Sequence, residues 1–243
     1  MIHTLMGLHA NITVLMGDSI IPVSLLLFDM DNTLFDLVGA QIASCNEIVR
    51  FLGYHDGEEL FSYFLRPVHG FESHENIRQY MEERCIPIDG TYEKACRIYE
   101  TEKLRHISPY PGVAATLEYL HGQGYPMCIV TDAHSRDATR RLEKIGLLRF
   151  FSGMVAYDMV NVKKPAPEPF LAALEMMRTP AGDTLLIGDS IRRDIEPCAR
   201  LGIRTVYARY GDRFSAGRQD PGADFIIDGM DELPKILDTL NRT

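Results

Sequence analysis

The chain has 243 residues, 46% hydrophobic and 24% charged, and its 34 acidic side chains outnumber 25 basic ones to give a net charge of −9. A chain this apolar buries enough surface to offset its conformational entropy, which excludes disorder as the main state. The acidic excess argues against nucleic acid and anionic membrane surfaces as partners, because both call for positive charge on the protein.

Residues 1–22 carry no charged side chain before Asp18 and show neither a helical nor a strand period. They are expected to form an extension, with Met16 as a second candidate start. The first basic residue is Arg50, so the basic n-region of a secretory signal is missing. The longest strongly apolar stretch, Ile20 to Phe28, is interrupted by Pro22 and Ser24. It falls well short of the roughly 20 residues that a bilayer requires. Cys45, Cys85, Cys96, Cys128 and Cys198 are odd in number and lack CxxC spacing. Reduced thiols in a cytoplasm fit that pattern better than disulfides or a zinc site.

From Val23 the pattern sharpens. Val23 to Phe28 is an apolar run ending in Asp29, the form of a strand buried on both faces. Met127–Val130 precedes Thr131 and Asp132, Thr184–Ile187 precedes Gly188 and Asp189, and Thr205–Ala208 is similar. Met154–Ala156 is a weaker fifth strand and Phe225–Ile227 a last one. Helical spacing separates them: Val113, Leu117 and Leu120 up to Gly122, Leu142 and Ile145 up to Gly146, and Phe170 to Met177 before Pro180. Ala199 and Leu201 stop at Gly202, and Leu233, Ile236, Leu237 and Leu240 form a closing helix. This alternation predicts an α/β fold, a Rossmann-like parallel sheet with helices on both faces. Residues 37–107 break it with helical segments, mixed charges and aromatics, and are expected to be an inserted helical cap. The catalytic core is then 23–36 and 108–243.

Ligands of open α/β sheets bind beyond the carboxyl ends of the strands. Those ends carry Asp29-Met30-Asp31-Asn32-Thr33, Thr131-Asp132, and Gly188-Asp189-Ser190 with Asp194 beyond, while Lys163 and Lys164 precede Pro165. Each piece alone reads as a turn or helix cap; the four together, each after an apolar strand, do not. Several carboxylates in one crevice repel by roughly 4 kcal/mol per pair at about 4 Å. A hard divalent cation relieves that, and Mg2+ suits a site with few carboxylates and a phosphate ligand. Metal and lysine would hold a phosphoryl group while a carboxylate attacks.

Four motifs carry a family resemblance: FDMDNTLFD (Phe28 to Asp36), IVTD (Ile129 to Asp132), KKPAPEPF (Lys163 to Phe170) and IGDSIRRD (Ile187 to Asp194). Over about residues 23–240 the chain resembles a haloacid-dehalogenase-superfamily hydrolase of the subfamily with a helical cap after the first strand. The resemblance implies a phosphatase, similar to the phosphoglycolate phosphatase and nucleoside 5′-monophosphatase branches, acting on a small phosphorylated metabolite. It implies Asp29 as nucleophile, forming an aspartyl phosphate, and Asp31 as the acid and then base. Mg2+ would be held by Asp29, the Asp31 carbonyl and Asp189, with Asp194 as ligand or orienter. Thr131, Asp132 and Lys164 would bind the substrate phosphate, Thr131 from a helix N-terminus.

The true dehalogenases resembling this chain lack an equivalent of Asp31, since a halide leaves without a proton. A phosphonate hydrolase would use a cap lysine, and no pattern selects Lys94 or Lys103. A sugar phosphomutase is the nearest alternative, although such enzymes follow the second Asp with Gly-Val rather than Asn32-Thr33. A non-catalytic binding protein on the same fold is the other, although no catalytic position is lost. Substrate choice is expected in the cap, where Arg66, His69 and His74 are the candidates for binding a substrate carboxylate or hydroxyl.

Overall fold

Leu25–Phe28 forms strand β1, and all four side chains are buried. The computed structural model describes residues 23–214 and 221–241, so the expected extension over 1–22 lies outside the described residues. Strands β2 (Met127–Val130), β3 (Gly153–Val155), β4 (Thr184–Gly188), β5 (Arg204–Ala208) and β6 (Phe225–Ile227) join β1. They make one six-stranded parallel sheet in the order β3-β2-β1-β4-β5-β6. Successive strand residues point to opposite faces. Leu26 and Phe28 accordingly enter one core with Val113, Leu117 and Ile187, whereas Leu25 and Leu27 enter the other with Cys128, Phe170 and Leu186. Burial on both sides is why these strands read as unbroken apolar runs.

Between β1 and β2 the chain forms α1 (Leu37–Phe51), α2 (Gly57–Phe64), α3 (Glu75–Glu82) and α4 (Gly90–His106). Asp36, Asp56 and Asp89 cap α1, α2 and α4 by accepting backbone amides of their first turns. The region has its own core, in which Phe64 stacks on Tyr99 with ring centroids 5.1 Å apart, beside Ile48, Leu60 and Tyr80. The inserted helical cap region is thus present.

The crossover helices are α5 (Val113–Gly122), α6 (Ser135–Lys144), α7 (Tyr157–Val160), α8 (Glu168–Met177) and α9 (Glu196–Arg200), and α10 (Leu233–Asn241) follows β6. Three details depart from the sequence expectation. The weak third strand starts a residue earlier, at Gly153, and leaves Ala156 to begin the single turn of α7. After β4 the chain makes a π-turn over Ile191–Ile195 before α9. The first strand starts at Leu25 rather than Val23, whose amide instead donates to Asn241 Oδ1 at 2.9 Å. No helix among the described residues is long and apolar enough to cross a membrane.

Because Leu27 is fully buried in the middle of the sheet, Leu27→Ala is expected to cost about 2–5 kcal/mol of stability, measured as the difference in urea unfolding free energy.

Candidate active site

From β1 the chain moves to β2 and β3 on one side, then crosses back to β4, β5 and β6 on the other. The carboxyl ends of β1 and β4 therefore flank the switch point, where crossover helices leave a crevice. Phe28 pairs with Ile187 across those strands, and the Asp29 amide donates to the Ile187 carbonyl at 2.9 Å. That register sets Asp29 beside Asp189. Their carboxylates and that of Asp194 lie within 4.8 Å of one another, all buried.

Lys164 Nζ spans two of the three, donating to Asp29 Oδ1 at 2.5 Å, to Asp194 Oδ1 at 2.6 Å and to the Val130 carbonyl at 3.2 Å. Burial pushes Asp29 up, but the Lys164 ammonium, with Arg193 and a hydrogen bond from Thr33, outweighs it and leaves the carboxyl lowered. Burial first, then the charges of Asp29 and Asp194, hold Asp189 well above the usual carboxylate range. Two cations, Lys164 and Arg193, do not balance the four carboxylates Asp29, Asp132, Asp189 and Asp194, and hard oxygen donors this close are the set that a divalent cation takes. The residues fit a metal: Asp29, Asp189 and Asp194 form a divalent-metal-binding triad.

Close backbone approach builds the triad. A Cβ on Gly188 would meet the Asp194 Cβ at 2.7 Å, so only glycine lets the π-turn bring that carboxylate against β4. Asp194 Oδ2 then accepts the Ser190 amide at 3.1 Å. A Cβ on Gly211 would lie 1.8 Å from the Asn32 carbonyl oxygen, so the turn after β5 presses directly on the loop after β1. Asn32 holds that loop in the left-handed region at φ 64°. Thr33 Oγ1 donates to Asp29 Oδ2 at 2.9 Å, and Tyr210 donates its hydroxyl to the Thr33 carbonyl at 2.7 Å.

Asp31 stands apart from the triad. Its Oδ1 accepts Arg141 Nη1 at 2.9 Å, and the other arm of that guanidinium donates to Glu72 in the inserted region. Burial, joined by the charges of Glu72 and Asp29 and opposed by Arg141, pushes the Asp31 carboxyl up to about 6. Thr131 Oγ1 accepts the Ala133 amide at 3.1 Å. Thr131 lies ahead of α6, which begins at Ser135. Asp132 turns to the loop before Pro165, accepting the Lys164 amide at 2.9 Å with Arg193 Nη1 3.6 Å away. A cavity of about 500 Å3 opens between this crevice and the inserted helices.

The cap residues singled out by sequence do not line that cavity. Arg66 stacks over Tyr63 and pairs with Glu83 at 3.5 Å, His69 is half-buried outside the lining, and His74 Nε2 meets Glu100 at 2.9 Å. Hydrogen bonds to Cys96 and Glu100, against burial, push His74 up to about 9. Stacking and carboxylate partners within the helical region claim Arg66 and His74. Gly70, Phe71, Glu72, Ser73, Glu100 and Lys103 line the cavity instead. Sequence reasoning also passed over Arg141 and Lys103. Each occupies an apolar face: Arg141 with Ala138 and Leu142 on α6, Lys103 with Ala95 and Tyr99 on α4. A cation at a core position was the available signal.

Residues 26–208 match the family described as haloacid dehalogenase-like hydrolase. The chain belongs to the haloacid dehalogenase-like hydrolases. A phosphoglycolate phosphatase of Cupriavidus necator is 29% identical over 224 residues, covering 89% of this chain and 94% of that one. A glyceraldehyde 3-phosphate phosphatase of Pyrococcus furiosus is 25% identical over 230 residues, covering 90% and 94%. The crystal structure of a HAD phosphatase from Thermococcus onnurineus superposes with a TM-score of 0.62 at 27% identity, covering 88% of this chain and 98% of that one. In this hydrolase family member, as in the sequence expectation, the sheet and inserted cap region bound the same crevice.

Two outcomes follow from the geometry. Gly188→Ala, which displaces Asp194, is expected to weaken divalent-cation binding about 10–100-fold, read by titration calorimetry with Mg2+ as the probe and far-UV circular dichroism as the control for folding. Burial would raise Glu72, but Arg141 and Lys103 outweigh it and bring the carboxyl down to about 2 from its usual 4.5. A depressed carboxylate stabilises the fold above its unfolded value, and that contribution is lost as pH falls from 4.5 toward 2. The stability of the wild type relative to Glu72→Gln should therefore fall by about 3 kcal/mol over that window, measured by urea unfolding at successive pH values.

Proposed function

We propose that this hydrolase is a Mg2+-dependent phosphatase that cleaves the phosphomonoester of a small metabolite through an aspartyl phosphate. The observation that carries the reading is the Lys164 ammonium bridging Asp29 and Asp194 at 2.5 and 2.6 Å beside Asp189, with Asp31 held outside the triad. The two relatives, phosphatases of phosphoglycolate and of glyceraldehyde 3-phosphate, support it.

Asp29, kept ionised, attacks phosphorus in line; its new O–P bond forms as the bond to the leaving oxygen breaks. Asp31 gives its proton to that oxygen, which departs as an alcohol. The Asp31 carboxylate then takes a proton from the water that attacks the aspartyl phosphate, releasing inorganic phosphate and restoring both acids. Lys164 neutralises the nucleophile and the phosphoryl oxygens, and Thr131 binds the phosphate at the end of β2. Asp29, the Asp31 carbonyl and Asp189 would hold Mg2+, with Asp194, the third carboxylate of the triad, as a further ligand that also orients Lys164; the ion, when bound, would offset phosphoryl charge. Asp132, an acceptor committed to the Lys164 loop, acts by fixing that loop. Residues 37–107 serve as the cap over a core of 23–36 and 108–243, excluding water from the cavity.

Asp29→Asn is expected to lower turnover of p-nitrophenyl phosphate by about 10⁴-fold or more with an unchanged circular dichroism spectrum; substantial residual activity refutes the nucleophile. EDTA should abolish phosphate release and added Mg2+ restore it, whereas full activity in the chelator rules out the metal.

A further inference from the structure

Among the described residues, Arg141 is the one side chain that hydrogen-bonds the Asp31 carboxyl, at 2.9 Å. The second arm of its guanidinium goes to Glu72 Oε2. Lys103 Nζ donates to the same Glu72 oxygen at 2.8 Å and to Glu100 Oε1 at 3.2 Å. Arg141 belongs to α6 of the core; Glu72, Lys103 and Glu100 belong to the inserted region. A run of alternating charge, Asp31–Arg141–Glu72–Lys103–Glu100, therefore crosses from the catalytic loop into the cap along the cavity wall. Its two cations are almost wholly withdrawn from solvent, with side chains 4% and 5% exposed.

We infer that Glu72 and Lys103 are positioning residues that orient Asp31 through Arg141, so that docking of the cap aims the acid at the leaving oxygen. The guanidinium is a rigid planar fork. With one arm fixed on a cap carboxylate, the direction of the other is fixed too, and Asp31 follows it. Lys103 in turn holds Glu72 on the Arg141 side of the cavity. The inference rests on the proposed acid role of Asp31, and adds to it a dependence on two cap side chains that touch neither substrate phosphate nor metal ligands.

Substrates that differ only in their need for a proton separate this role from a structural one. Nitrophenolate leaves p-nitrophenyl phosphate unprotonated, whereas phenyl phosphate releases an oxygen whose conjugate acid titrates near 10. Glu72→Gln and Lys103→Met are each expected to lower kcat/KM, which reports transfer to Asp29 and not the later hydrolysis common to both esters, at least about tenfold on phenyl phosphate while staying within about threefold on p-nitrophenyl phosphate. That second rate also reports that the variants fold. In an Arg141→Gln background, adding Glu72→Gln should change the ratio of the two rates no further, because the path through the guanidinium is already cut. Equal losses on both esters, an unmoved ratio, or multiplying effects of the Glu72 and Arg141 substitutions would each overturn the inference. If Asp31→Asn keeps the wild-type ratio, the acid role itself is wrong and the inference falls with it. If Asp31→Asn shifts the ratio and Glu72→Gln does not, only the inference fails.

Discussion

Three carboxylates share one buried crevice, and the rest of the site is arranged around their repulsion. At about 4 Å and an effective dielectric near 20, each pair costs roughly 4 kcal/mol if both partners are charged. Lys164 relieves part of this by touching two of the three directly. The remainder is what gives the site its appetite for a hard cation and, with that cation, for a phosphate ester. The same repulsion explains why Asp31 is useful only outside the cluster: drawn toward Arg141, it keeps an environment unlike that of Asp29, two residues away. Two neighbouring acids in opposite surroundings are the arrangement from which acid and nucleophile roles separate.

The topology supplies the crevice without any special device. Parallel strands bring every carboxyl end to one edge of the sheet, and the crossing from β3 back to β4 parts the helices there. What the chain adds locally is closeness: a glycine at position 188 that admits Asp194, and the π-turn that delivers it.

How much of this was legible follows from the range of each interaction. Asp29, Asp189 and Asp194 announce themselves because strand ends are marked by short apolar runs, and the spacing within each motif is local. Lys164 is readable for the same reason, standing in a loop next to Pro165. Arg141 was not, since its meaning depends on partners 110 residues away at Asp31 and 69 away at Glu72. The first pair joins two distant stretches of the core and the second exists only where the cap meets the core, and no periodicity within any one segment encodes either meeting. The partners of Arg66 and His74 were hidden in a related way. Those two side chains suited a substrate, but Tyr63, Glu83 and Glu100 in their own helical region satisfy them first.

The contact between Gly211 and the Asn32 carbonyl has a consequence for the timing of the reaction. With backbone pressed on backbone from the β5 side, and Tyr210 anchoring the Thr33 carbonyl, the loop that carries Asp29 has no slack to take up. A loop immobilised before the ester arrives spends nothing on rearrangement at the barrier. Whatever motion catalysis demands is thereby delegated to the opposite wall, where helices rather than strand ends meet the ligand.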